Sequence, residues 1–124
     1  MLYSILIFGS EDQAAGWSAA EHEEVMGRHA QLRAQLSAQR QLGPVMRLSP
    51  RDSKVVRRAR GQVRVTDGPY AETKEQLMGI YVVECATLEE AVAATELLNF
   101  ETGVFEIVPL RYLDPGQLAP LIPE

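Results

Sequence analysis

Two stretches, each a strand-like run leading into a capped helix, constrain this chain more than any other feature. The first run, Leu2 to Phe8 ("LYSILIF"), is apolar on both alternating faces except for Ser4 and the polar tip of Tyr3. A strand covered on both sides reads this way. A polar connector from Gly9 to Gly16 follows. Ser18-Ala19-Ala20-Glu21 then matches a capping box, with Ser18 as N-cap and Glu21 at the third helical position, each side chain satisfying a backbone donor that the first turn leaves unpaired. The spacing predicts a helix to about Gln41, with Val25, Leu32 and Leu36 as its apolar stripe and Met26 beside it. His29 falls on that stripe. Gly43-Pro44 is expected to stop the helix.

The second unit repeats the logic. Leu77 to Ala86 ("LMGIYVVECA") is a strong strand, and Thr87-Leu88-Glu89-Glu90 is another capping box. A helix to about Asn99 is expected, burying Leu88, Ala91, Val92, Thr95 and Leu98. Val104 to Tyr112 is the last strand. Its Pro109 cannot donate to a ladder and belongs at an edge or a strand end. Between the units, Val45 to Leu48 reads as a short strand. A hairpin follows from Lys54 to Ala59, through a turn at Arg60-Gly61, and back along Gln62 to Thr66. Asp67-Gly68-Pro69 then breaks the ladder. Asp67 is suited to bond backbone donors ahead of it, Gly68 tolerates positive φ, and Pro69 lacks a donor.

The order β, α, β, hairpin, β, α, β predicts an α+β fold of ferredoxin-like kind, an antiparallel sheet with two helices on one face. A chain of 124 residues is expected to form one domain, here over 1–112. The tail over 113–124 has Leu118, Leu121 and Ile122 available to pack on a neighbour. Several strands are apolar on both sides, whereas the helices cover only one face. A second copy related by two-fold symmetry is the economical cover, so a homodimer is expected.

Charge and cysteine content narrow the function classes. The net charge of −5 argues against generic nucleic-acid binding. The charge is uneven: eight basic residues and one acid between Arg40 and Arg64 give that segment +7, leaving −12 for the rest. A solvated hairpin face, an anionic small ligand or an acidic partner surface would each account for it. Cys85 is alone, which excludes an intrachain disulfide and suits a reducing compartment. The apolar start lacks a basic flank, and its run of about eight residues is too short to span a bilayer. No membrane association and a cytoplasmic location are expected.

The common catalytic motifs for nucleotides, acyl transfer and zinc hydrolysis are absent. His22 and His29 are seven apart with no paired cysteine, so no metal site of usual spacing is expected. Cys85 reads as inert packing on a core strand. His29 and Asp67 remain. A histidine on an apolar stripe must find a polar partner, and a carboxylate fixed at a strand end could supply one. An imidazole paired with a carboxylate can move a proton near neutral pH. A satisfied core or interface histidine beside an ordinary Asp-turn is the plain alternative.

The block "VTDGPYAETKEQLMGIYVVECATLEEAVAAT", with the N-terminal "MLYSILIFGSED" and the helix from Ser18, resembles the YCII-related family in its DGPF-domain branch. The resemblance covers about residues 1–110. It implies a ferredoxin-like or dimeric α+β-barrel fold, homodimers, and a site at a dimer-side cleft built from a histidine on the first helix and the Asp of the DGP block. Asp67 matches that Asp directly, and His29 sits where YCII-type members carry the histidine. Tyr70 replaces the name-giving Phe of the branch. Some relatives act as small-molecule lyases or isomerases on ring compounds, and branch members often neighbour sigma-factor genes.

Two readings follow. In one, Asp67 orients His29 as the acid/base of a lyase or isomerase, while Arg47, Arg64 and Tyr70 bind a small anionic substrate, with no cofactor. In the other, the chain is a non-enzymatic ligand- or protein-binding module linked to a sigma factor, contacting it through the basic hairpin or the tail. A third role for the Asp67 block is simply to staple the dimer.

Overall fold

The computed structural model describes residues 1–69, 75–98 and 103–118. Tyr70, residues 71–74, Asn99 at the expected end of the second helix, and Leu121 and Ile122 of the tail lie outside the described residues. The elements are β1 (Leu2–Gly9), α1 (Glu11–Ala15), α2 (Ala19–Ala38), β2 (Leu42–Arg47), β3 (Lys54–Ala59), β4 (Gln62–Asp67), β5 (Gln76–Glu84), α3 (Leu88–Ala94) and β6 (Val104–Pro109). Short 3₁₀ turns occupy Pro50–Asp52 and Thr95–Leu98.

Strands β2, β5, β1 and β6 form one antiparallel sheet in that order. This is the α+β, ferredoxin-like arrangement that the order of elements led us to expect. Hairpin β3–β4 is an insertion and, among the described residues, pairs only with itself, as a separate two-stranded sheet. Its turn residues Arg60 and Gly61 have φ of 52° and 76°. Both angles are positive, as a two-residue hairpin turn whose twist matches its strands requires.

Strand parity divides the sheet into two unlike faces. Tyr3, Ile5, Tyr81, Val83 and Cys85 point toward the helices and form the core with Leu32 and Leu36 of α2, Ala91 of α3, and Leu98. Ile7, Phe105 and Ile107 pack against that core from the same face. The capping box at Ser18 is complete, with Glu21 N–H donating to Ser18 Oγ and Ser18 N–H to Glu21 Oε1. Thr87 caps α3 by accepting from Glu90 N–H at 3.1 Å. The other face carries Leu6 opposite Ile80, Met46 beside them, and Phe8 opposite Val104, with Ser4 opposite Val108. Met46, Val104 and Val108 are exposed there.

Several local expectations change. The connector after β1 contains a helical turn, α1, because Ser10 accepts from Gln13 N–H and caps it. Helix α2 ends at Ala38, and Gly43-Pro44 lies inside β2 rather than stopping a helix. The pairing of β2 with β5 shifts register there, and Pro44 is tolerated because β2 is an edge strand. A Cβ on Gly43 would sit 2.7 Å from the Val82 carbonyl oxygen, so this close approach demands glycine. α3 is shorter than expected and buries Ala91, while Leu88 and Val92 face outward. β6 ends at Pro109 rather than Tyr112. Gly68 is not at positive φ. It is needed because a Cβ there would meet Ser53 Oγ at 2.1 Å.

Candidate functional site

His29 lies on the face of α2 that overlies the β2–β5 half of the sheet. The helix brings Met26, His29 and Arg33 to one side through its three- and four-residue spacing. Beneath them β5 presents Tyr81, which points toward the helices because it shares the parity of Val83. In β2, Val45 stands opposite Tyr81 and Arg47 opposite Gly79, so Arg47 comes up on the same side.

The His29 Nδ1 and the Tyr81 hydroxyl are 2.7 Å apart, and their rings stack with centroids separated by 5.8 Å and planes at 17°. Either group can donate, depending on the imidazole tautomer. The partner that a histidine on an apolar stripe requires is thus a phenol from the sheet. Burial lowers the His29 pKa, and the charges of Arg33 and Arg47 lower it further, so the neutral imidazole is favoured. Burial raises the Tyr81 pKa, while a hydrogen-bonding approach and the positive charge of Arg33 pull it back down. Arg47 also reaches Met26, with Nη1 4.0 Å from Sδ. The result is a neutral base and a phenol in contact, flanked by two guanidinium groups. Such a set can accept a proton and hold an anion beside it.

Asp67 stands elsewhere. It closes β4 at the base of the hairpin, exposed, with its carboxylate paired to Lys54 directly across the ladder. Next to it, Gly68 N–H donates to the Ser53 carbonyl at 2.9 Å, and the Gly68–Pro69 peptide is cis. A cleft of about 380 Å³ lies at this base, lined by Leu48, Ser49, Pro50, Ser53, Lys54, Val55, Pro69 and Leu77. Arg64 sits further out on the hairpin, exposed and opposite Arg57. Of the residues singled out from the sequence, the structure brings His29 and Arg47 together. It sets Asp67 and Arg64 on the hairpin, while Tyr70 lies outside the described residues.

A family model for the YCII-related domain matches residues 1–114. The chain belongs to the YCII-related family. It is also similar to an uncharacterized protein of Rhizobium meliloti (strain 1021), 40% identical over 122 residues that cover 95% of this chain and 98% of the relative. In this YCII-related protein, no helix among the described residues is long and apolar enough to cross a membrane. No cluster of three or more metal-ligating side chains occurs among them either.

Tyr81 and Arg33 escaped the sequence reading. Arg33 could have been found, because it follows His29 by four residues and so shares its face of α2. Tyr81 carries a weaker signal: a hydroxyl at an inward-facing position of an otherwise apolar strand, where a buried phenol needs a partner. Cys85 is buried just beyond the end of β5. Burial, and then Glu90 and Glu84, push its thiol pKa up, against the pull of the N-terminal amine. A thiol held protonated in this way suits packing rather than nucleophilic attack.

Proposed function

We propose that this YCII-related protein is a cytoplasmic homodimeric enzyme of the DGPF branch that moves a proton on a small anionic substrate, in a lyase or isomerase type of reaction. The observation that carries the proposal is the 2.7 Å contact between His29 and Tyr81 with Arg33 and Arg47 beside it. A desolvated imidazole held neutral is ready to take a proton from a carbon or oxygen acid. The charge that develops on the substrate then lies within the field of the two guanidinium groups, which lie exposed at the rim of the half-buried imidazole. The phenol fixes the imidazole plane and can return a proton as the reaction closes. In support of the dimer, Met46, Val104 and Val108 are exposed on the sheet face that the helices leave bare.

This reading gives His29 its partner within the chain. A His–Asp reading instead makes Asp67, with Arg64 and Tyr70, part of the catalytic group, which requires the hairpin base to meet His29. Side-chain NMR of His29 distinguishes the two. A panel of small aromatic and enolisable carboxylates is titrated against the wild type, Tyr81→Phe, Arg47→Ala and Asp67→Asn. One chemical class is expected to shift the His29 imidazole resonances. Arg47→Ala should weaken that binding by about tenfold, as loss of a charge-assisted contact does, Tyr81→Phe should change the imidazole pKa, and Asp67→Asn should leave both unchanged. If Asp67→Asn alone abolishes the response, the His–Asp reading replaces this one. If no compound perturbs His29, the pair is a structural contact and the enzymatic proposal fails.

A further inference from the structure

We propose that hairpin β3–β4 is a docking arm that seats on α3 of a second copy of the chain. Among the described residues the strands of the hairpin pair only with each other. Its ladder places Lys54, Val56 and Arg58 of β3 on one face with Val63, Val65 and Asp67 of β4. Val56, Val63 and Val65 are 60%, 51% and 61% exposed on that face. Three β-branched side chains in one open patch, on an arm with no cover of its own, form an unfinished packing surface. Arg58 borders the valines and makes no ion pair with a described residue.

A surface of complementary chemistry lies on the same chain. Helix α3 turns Leu88 and Val92 outward, 42% and 49% exposed. They are four residues apart and therefore adjacent on the helix. Glu89 and Glu96 flank this pair, and neither forms an ion pair with a described residue. An apolar stripe bordered by Arg58, with the Lys54–Asp67 ion pair at its base, thus finds its counterpart in an apolar pair bordered by carboxylates. The uneven charge acts in the same direction at longer range. The segment from Arg40 to Arg64 carries +7 and the remainder −12, so the arm of one copy is drawn to the body of another. α3 packs on the helix-covered side of the sheet, away from the bare face assigned to the dimer. The arm contact therefore joins copies beyond that dimer, and it does not depend on the catalytic reading.

The test is a charge exchange read by sedimentation velocity and light scattering across protein concentration and salt. Wild-type protein is expected to associate beyond a dimer at low salt and to weaken as salt screens the contact. Arg58→Glu and Glu89→Arg should each weaken that step by about tenfold, the effect of placing like charges together at an interface. The chain carrying both substitutions should regain it. All sites are exposed, and unchanged far-ultraviolet circular dichroism checks the fold of each variant. Juxtaposition is tested directly by mixing Val63→Cys and Val92→Cys chains under mild oxidation, where a disulfide between the two kinds of chain is expected. Unchanged assembly in both single variants overturns the proposal and leaves the arm to a different protein. Failure of the double variant to recover, or the absence of the mixed disulfide, overturns it as well.

Discussion

Replacing Tyr81 by Phe removes one oxygen atom from the middle of the candidate site and keeps nearly all of the packing. Tyr81 is 2% exposed, and its hydroxyl lies 2.7 Å from His29 Nδ1. A hydrogen bond of this kind contributes roughly 0.5–1.5 kcal/mol net, and withdrawing one partner of a buried pair adds up to roughly 1–3 kcal/mol of desolvation cost. His29 is only half-buried, so water can recover part of that cost. The Tyr81→Phe variant should therefore lose about 1–2 kcal/mol. For a chain of this length the loss corresponds to a fall in Tm of about 4 °C per kcal/mol. Urea unfolding at pH 7.5 measures it directly, with an unchanged m-value showing that compactness is preserved. A double-mutant cycle with His29→Ala isolates the pairwise part, expected at about 1 kcal/mol. Additive losses, with coupling below about 0.3 kcal/mol, would mean that the contact carries no energy and that the reasoning about the site is wrong.

Two other outcomes follow from the structure. The pKa of His29 is lower in the folded protein than its ordinary value of 6.5. Between those two values the unfolded chain binds a proton that the native state does not. Stability should thus be complete above about pH 6.5 and decline as the pH falls toward the folded value, levelling off below it. His29→Gln should flatten that part of a pH series of urea midpoints; an equal slope in the variant refutes the assignment. Gly68→Ala places a Cβ 2.1 Å from Ser53 Oγ, an atom already bonded to the Pro50 carbonyl at 2.7 Å. A loss of about 1–3 kcal/mol is expected from the overpacking. Ser53→Gly in the same chain should recover part of it, and no recovery would show that the clash lies elsewhere.

The elements that can be read from local signals are those with a short-range physical cause. Ser18 with Glu21, and Thr87 before Glu90, announce helix starts because the capping bonds span only three residues. The near-continuous apolar runs of β1 and β5 mark strands because side chains switch faces at every residue and both faces are apolar. Arg60-Gly61 marks a turn because the backbone there must take positive φ. Gly43-Pro44 misled, since both residues suit a helix stop as well as a bulged edge strand. The outward turn of Leu88 and Val92 could not be read from their spacing, because a short helix exposes or buries either stripe according to what it packs on.

For the candidate site, the sequence by itself determined that His29 sits on an apolar stripe and needs a polar partner, and that Asp67 closes a strand at a Gly-Pro turn. Only the tertiary structure decided who meets whom. Antiparallel pairing of β1 with β5 sets the parity that aims Tyr81 at α2, and the ladder of the hairpin sets Asp67 across from Lys54. The two choices depend on register between segments distant in the chain. A shift of one residue would turn each of these side chains to the opposite face.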